Sequence, residues 1–145
     1  MKRVLFICTG NTARSQMAEA LLNHLGAGRF EALSAGLEPG KVNEYAIRAM
    51  AEVGIDISKA ESKGLDRFLD LDNLDFMITL CSDADYRCPM FPGTAKREHW
   101  PFEDPARFSG TAEETSAKFR EVRDLIKTRI EKFISQIGEN DDTRT

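Results

Sequence analysis

The sequence predicts an α/β fold in which a parallel sheet carries helices on both faces. Short apolar runs of strand length alternate along the chain with segments of helical periodicity. The first run, "RVLFIC", is apolar enough to be buried on both sides, as strands of parallel sheets are. The length of 145 residues, 41% of them hydrophobic, fits one domain with its own core.

The first half of the chain predicts two strands and two helices. A strand over residues 3–8 leads to a helix from Ser15, whose apolar positions recur every three or four residues at Met17, Ala18, Leu21, Leu22 and Leu25. A second strand is predicted over residues 29–35. The helix after it ends at Gly54, and its apolar positions are Val42, Ala46, Met50 and Val53.

The second half predicts two further helices and a strand. A less regular pattern over residues 61–72 predicts a helix, and residues 75–80 resume the strand pattern. The last helix has one apolar stripe, formed by Phe119, Val122, Ile126, Ile130, Phe133 and Ile137. We expect a single domain over residues 1–137 and a flexible polar tail over residues 138–145.

Composition narrows the classes of function. The net charge of −4 and the pI near 5.3 provide no basic surface for nucleic acid. The chain has no run approaching the roughly 18 apolar residues of a membrane span, and "VLFIC" is too short for a signal peptide. We therefore expect a cytoplasmic monomer, in which an odd count of three cysteines favours reactive thiols over structural disulfides.

The segment after the first strand has the features of an anion site. Cys8 ends that strand, and ligands of parallel sheets bind beyond the carboxyl ends of the strands. The loop "TGNTAR" then leads into a helix, so its amides and the helix N-terminus can surround an oxyanion, to which Arg14 adds a guanidinium. The predicted oxyanion-binding residues are Thr9, Gly10, Asn11, Thr12, Ala13, Arg14 and Ser15.

Cys8 is the predicted nucleophile of this site. The positive surroundings favour its thiolate, and Ser15 can donate a hydrogen bond to the sulfur while Asn11 fixes the loop backbone. The alternative is a buried cysteine at a strand end and an unrelated surface arginine. The spacing of five residues between Cys8 and Arg14, followed by a serine and set between strand and helix, favours the thiolate.

These residues resemble a known family. "CTGNTARS" is similar to the signature loop of the low-molecular-weight protein tyrosine phosphatases, and "SAGLEPGKVNEYAIRAMAEVGIDIS" also resembles the family, so the likeness covers most of the chain. The resemblance implies a four-stranded parallel sheet flanked by helices. It also implies an Asp-Pro general acid, which "HWPFEDPA" supplies as Asp104. The alternative for Asp104 is an ordinary turn residue, because Asp-Pro is common in turns.

The remaining cysteines resemble one branch of that superfamily. "TLCSDADYRCPMFPG", with Cys81 and Cys88, and "EHW" before Asp104 closely resemble the thioredoxin-coupled arsenate reductases. The resemblance implies that Cys8 attacks arsenate, that Cys81 attacks Cys8 with release of arsenite, and that Cys88 attacks Cys81. Thioredoxin would reduce the resulting disulfide, without a tightly bound cofactor, and phosphate or sulfate would compete with arsenate.

Geometry adds a constraint on Cys81 and Cys88. In a regular helix their Cα atoms would lie ~10 Å apart, whereas a disulfide requires less than about 7 Å. The segment must therefore bend during turnover. Its polar interior, "SDADYR", has little apolar anchorage and suits a region of low local stability.

We predict no metal site. Two cysteines separated by six residues do not match common zinc spacings, and His24 and His99 have no companions in a ligand pattern. Some reductases of the resembled type respond to a monovalent cation near the loop. The candidate oxygen ligands are Asn11, Glu19 and Ser34, but the ammonium of Lys63 could occupy that place.

Three functions are therefore to be separated. The first is the thioredoxin-dependent arsenate reductase, which requires all three thiols. The second is a tyrosine phosphatase in which Cys81 and Cys88 only protect Cys8 from oxidation. The third is a non-catalytic oxyanion-binding module, which alone would keep its binding after loss of Cys8 and which does not require Asp104.

Overall fold

A computed structural model of the chain describes residues 1–68, 71, 73–82 and 95–142. Its sheet contains four parallel strands in the order β2-β1-β3-β4. The strands are β1 (Lys2–Cys8), β2 (Phe30–Gly36), β3 (Phe76–Thr79) and β4 (Lys96–His99). The helices are α1 (Arg14–Leu25), α2 (Glu44–Ala51) and α3 (Ala112–Asp142), with short 3-10 helices at Leu65–Phe68 and Pro105–Arg107.

The parallel register brings the carboxyl ends of the strands to one edge. Cys8 pairs with Gly36 at the end of β2, and Ile7 pairs with Thr79 at the end of β3. The loops that follow β1, β3 and β4 therefore leave the sheet side by side. This edge is where parallel sheets bind ligands.

Side chains of β1 alternate between two apolar clusters. Val4, Phe6 and Cys8 face a large cluster, whereas Leu5 and Ile7 face a smaller one. The large cluster takes residues from all three α-helices, among them Met17, Leu21, Met50, Ile126 and Phe133. Burying such side chains contributes about 1.5–3 kcal/mol each, so this face dominates the stability of the fold.

The opposite face of the sheet has a smaller described cover. Phe68, from the first 3-10 helix, packs with Met77 in the smaller cluster, and Leu65, Leu71 and Leu74 lie against it. The predicted class, a four-stranded parallel sheet with helices on both faces, is confirmed. On this second face the described helix is the 3-10 helix.

Aromatic side chains anchor α3 to the sheet. The ring of Phe133 lies 5.0 Å from that of Phe76 and 5.6 Å from that of Phe30. Trp100, just after β4, lies 5.4 Å from Phe133 and 5.7 Å from Phe6. Such pairs add about 0.5–1.5 kcal/mol beyond burial, and they hold the segment after β4 in place.

Three elements differ from the sequence prediction. The pattern over residues 61–72 yields only the 3-10 helix Leu65–Phe68 among its described residues. β4 was not predicted from periodicity, because its "KREH" sequence is charged and largely exposed, as edge strands often are. The predicted polar tail began at Gly138, whereas α3 continues to Asp142.

The α3 helix is long but amphipathic. Its buried apolar positions form one stripe, and its other described positions are mostly polar, with Leu125 as an exposed apolar exception. Within the described ranges, no helix combines the length and apolarity needed to cross a membrane.

Candidate active site

Cys8 lies at the floor of the loop between β1 and α1. Its side chain is 2% exposed, and its Sγ accepts a hydrogen bond of 3.2 Å from the backbone N–H of Asn11. Asn11 has a φ of 53°, in the left-handed region that asparagine tolerates better than most residues, which turns the loop back over the sulfur. The Oγ of Ser15 lies 2.9 Å from the same sulfur. In the first contact the backbone N–H is the donor, whereas in the second either Cys8 Sγ or Ser15 Oγ could be the donor.

Backbone N–H groups outside the loop donate hydrogen bonds to the loop's carbonyl groups and hold it in place. Glu38 N donates to Thr9 O at 2.9 Å, and Asn43 N donates to Thr12 O at 2.9 Å. Ala13 O accepts from Met17 N at 2.9 Å, which starts the hydrogen bonding of α1. These carbonyl groups therefore point away from the space in front of Cys8, which suits an anion site because their negative ends are engaged elsewhere.

Arg14 is the first residue of α1, and among the described residues no side chain caps this helix end. The uncapped amides carry partial positive charge at the point where the loop closes. The Arg14 side chain is 3% exposed, and its Nη1 donates to Phe102 O at 3.1 Å and lies 3.4 Å from Leu80 O. Arg14 therefore joins the loop to the segments that follow β3 and β4.

Asp104 faces Arg14 from the segment after β4. Its Oδ1 accepts from Ala106 N at 3.0 Å, as the cap of the second 3-10 helix. Its Oδ2 lies 3.6 Å from Arg14 Nη2 and 3.9 Å from Arg107 Nε. One carboxylate oxygen is thus held by the backbone while the other faces the guanidinium that an oxyanion would engage.

Cys81 lies at the same edge of the sheet. It directly follows Leu80, whose N–H donates to Ile7 O at 2.8 Å beside Cys8. Cys81 is 1% exposed, and Cys8 and Cys81 are not joined by a disulfide. Cys88 lies outside the described residues, so the predicted bending of the segment over residues 81–88 stays a prediction.

A segment whose contacts with the loop were not predicted from the sequence supports the loop from behind. This support segment, residues 61–64, contributes Lys63 N, which donates to Asn11 Oδ1 at 2.7 Å, and Ser62 Oγ, which donates to Gly10 O at 3.0 Å. Its Lys63 O accepts from Gly36 N at 2.9 Å. The sequence predicts a helix here and indicates Lys63 only for its ammonium, and the two contacts with the loop join residues 52 apart in sequence, so no local pattern indicated this support.

Gly36 also has a role that the sequence did not indicate. A Cβ at this position would lie 2.6 Å from Asn11 N and 2.9 Å from Thr9 O, both backbone atoms of the loop. Real Cβ atoms essentially never approach this closely. The loop therefore packs directly on the end of β2, and only glycine leaves room for it.

Glu19, Ser34 and Lys63 form a polar cluster beside the loop. Ser34 Oγ donates to Glu19 Oε1 at 3.0 Å, and Lys63 Nζ lies 3.8 Å from the same oxygen. Burial raises the pKa of Glu19, an effect that the charge of Lys63 opposes. The ammonium thus lies beside Glu19, where a cation was considered. Among the described residues, no three His, Cys, Asp or Glu side chains are grouped to hold a metal ion.

The family of the chain follows from comparison with known proteins. The family model described as low molecular weight phosphotyrosine protein phosphatase matches residues 3–143. The chain belongs to this family. The resemblance seen in "CTGNTARS" is thereby confirmed, and so is the family's four-stranded sheet.

Within this family, the similar proteins include arsenate reductases. An arsenate reductase of Shouchella clausii is 49% identical over 138 residues, covering 95% of this chain and 98% of the relative. A solved arsenate reductase in the phosphate binding state is 38% identical, covers 94% of this chain and 99% of its own, and superposes with a TM-score of 0.75. A thioredoxin-dependent arsenate reductase of Corynebacterium glutamicum is 30% identical with a TM-score of 0.69, covering 97% of this chain and 63% of its own.

Proposed function

We propose that this protein reduces arsenate to arsenite and that thioredoxin regenerates it. The observation that carries the proposal is the position of Cys8. Its sulfur accepts a hydrogen bond from Asn11 N, lies against Ser15 Oγ and is buried below a loop that ends in the Arg14 guanidinium. Two relatives of the protein support arsenate as substrate. One is an arsenate reductase of 49% identity, and the other is a solved arsenate reductase in the phosphate binding state of 38% identity.

The first step forms a bond between the Cys8 sulfur and arsenic. Arsenate lies in the loop with its oxygens on the amides and on Arg14, and the Cys8 thiolate attacks arsenic while one oxygen leaves as water. Asp104 donates the proton that this oxygen requires, in keeping with its position opposite Arg14. The arsenic is still in its pentavalent state in this adduct.

The second step is the reduction. The Cys81 thiolate attacks the Cys8 sulfur, a disulfide forms between them, and the bonding pair of the sulfur–arsenic bond remains on arsenic, which leaves as arsenite. The two thiols have lost two electrons and arsenic has gained two. The burial of Cys81 beside the carboxyl end of β1 supports it as the attacking thiol.

The last steps return the enzyme to its thiol form. Cys88 attacks Cys81, which releases Cys8 and moves the disulfide to Cys81–Cys88, and the two thiols of thioredoxin reduce that disulfide. Cys88 itself lies outside the described residues, so its part rests on the sequence resemblance. The thioredoxin dependence of the Corynebacterium glutamicum relative supports the choice of reductant. We place the reaction in the cytoplasm, where thiols are kept reduced.

The test is arsenite production with thioredoxin, thioredoxin reductase and NADPH. The wild type should turn over continuously, whereas Cys88→Ser should release one arsenite per chain and then stop as a Cys8–Cys81 disulfide. Cys81→Ser is the matched control, because it should take up arsenate on Cys8 without releasing arsenite. Sustained turnover by Cys88→Ser would overturn the relay.

Two other outcomes would change the function itself. No arsenate reduction together with rapid hydrolysis of aryl phosphates would favour the phosphatase alternative. Oxyanion binding without either reaction, retained in Cys8→Ser, would favour a binding module.

A further inference from the structure

Gln16, in the first turn of α1, is buried behind the loop and has no part in the steps above. Gln16 is 1% exposed. Its Nε2 donates to Asn11 Oδ1 at 2.9 Å and to Glu61 O at 2.9 Å, and lies 3.2 Å from Asn11 O. All three are acceptors, so the amide nitrogen of Gln16 must face them. The Gln16 Oε1 atom is buried with no hydrogen-bond partner among the described residues, as expected if these acceptors dictate the orientation.

Gln16 and the backbone N–H of Lys63 together determine the orientation of the Asn11 amide. Asn11 Oδ1 receives two donors, Gln16 Nε2 and Lys63 N, the latter at 2.7 Å. A backbone N–H can only donate, so the oxygen of the Asn11 amide has to face Lys63. The Asn11 Nδ2 is consequently turned toward Ser15 Oγ, at 2.7 Å.

The orientation of Asn11 in turn determines the direction of the Ser15 proton. Because Asn11 Nδ2 donates to Ser15 Oγ, the hydroxyl acts as acceptor in that contact. Its own proton is then available for the Cys8 sulfur, 2.9 Å away. A donor at this distance stabilises the thiolate, and a hydroxyl turned the other way would not.

We propose that Gln16 is a positioning residue for the Cys8 thiolate. It touches no reacting atom. It acts through Asn11 on the direction of the Ser15 proton, and its bond to Glu61 O also joins α1 to the support segment over residues 61–64. The inference rests on the proposed function only in so far as Cys8 is the nucleophile, since thiolate reactivity is measured without arsenate or thioredoxin.

The test is alkylation of Cys8 by iodoacetamide as a function of pH. The Cys81→Ser, Cys88→Ser double variant serves as background, because the chain has three cysteines and Cys8 is then the only thiol. Gln16→Met has a similar shape and removes both donors. We expect the pH of half-maximal alkylation to rise by about one unit, as for the weakening of one hydrogen bond to a charged group.

A double-mutant cycle shows whether Gln16 acts through Ser15. Ser15→Ala should produce a shift in the same direction, and Gln16→Met should add nothing further to it. The matched control is Asn23→Met, on the same helix. The Asn23 side-chain amide donates to Ala32 O and accepts from Ala32 N, away from the loop. The control should lower thermal stability and leave the alkylation profile unchanged.

The proposal is overturned if Gln16→Met leaves the alkylation profile unchanged. It is also overturned if Gln16→Met shifts the profile as much in the Ser15→Ala background as in its absence, or if Asn23→Met produces the same shift. A measurement on the wild type applies even if Gln16→Met does not fold. The side-chain amide protons of Gln16 and Asn11 should exchange slowly with solvent by NMR, and fast exchange would contradict the proposed network. If the alkylation results are as expected but the protein does not reduce arsenate, only the proposed function is overturned.

Discussion

Replacing Gly36 by alanine should displace the loop between β1 and α1. The new Cβ would lie 2.6 Å from Asn11 N, 2.8 Å from Gly10 C and 2.9 Å from Thr9 O. These are backbone atoms, so none of them can rotate away as a side chain can. To reach an ordinary contact of 3.4 Å, the loop at Asn11 must retreat by about 0.8 Å, the difference between the two distances.

The displacement acts directly on the catalytic geometry. Asn11 N donates to Cys8 Sγ at 3.2 Å, a contact that a shift of this size would break or misalign. Misplacing a reacting group by about 1 Å costs on the order of 100-fold in rate, and overpacking costs about 1–3 kcal/mol of stability. We therefore expect a folded Gly36→Ala protein whose single-turnover arsenate reduction is roughly 100-fold slower.

The control is Gly40→Ala, close to the same loop. Among the described residues, a Cβ there would meet only Thr12 Cγ2, at 3.5 Å, so the rate of this variant should stay near that of the wild type. Arsenite release is measured with enzyme in excess of arsenate, and thermal unfolding is measured on both variants. A folded Gly36→Ala protein that reduces arsenate at the wild-type rate would refute the argument that the loop packs on the end of β2.

Two further predictions concern charged residues. Asp104→Asn should slow formation of the Cys8 adduct by about 100-fold or more while phosphate still binds, because only proton donation is lost. Unchanged single-turnover kinetics would show that Asp104 is an ordinary turn residue. Lys63→Met removes the charge that lowers the pKa of Glu19, so it should destabilise the protein by about 1–3 kcal/mol at pH 8. As the pH falls and the Glu19 carboxyl, whose pKa is raised in the folded state by burial, takes up its proton, this loss of stability should shrink. Denaturant unfolding at several pH values measures this loss of stability. The Glu19→Gln, Lys63→Met double variant should lose the same stability at every pH.

Features encoded within a short stretch of the chain were predictable. The strand over residues 3–8 and the stripe of the last helix follow from burial, because burial on a strand or a helix imposes a spacing that can be seen in the sequence. Cys8, Arg14 and Ser15 belong to one strand-loop-helix unit, so their mutual contacts depend on local geometry. The family resemblance supplied the four-stranded sheet and suggested Asp104.

The ends of elements and the edge of the sheet were predicted less well. β4 has the sequence "KREH", whose side chains are mostly in solvent, so no apolar alternation marks it as a strand. The polar residues after Ile137 contain no apolar stripe, yet α3 continues to Asp142, because backbone hydrogen bonds extend a helix beyond its buried positions.

The support behind the oxyanion loop was decided by tertiary structure alone. No sequence pattern indicated that Gly36, Gln16 and the segment over residues 61–64 contact the loop. They meet it because β1 and β2 are paired in register and the chain returns past both. Such contacts depend on where distant backbones come to lie, which local periodicity does not encode. The sequence alone therefore determined the fold class and the placing of Cys8 and Arg14 in one strand-loop-helix unit, whereas the packing of remote segments decided how that loop is held and which way its hydrogen bonds point.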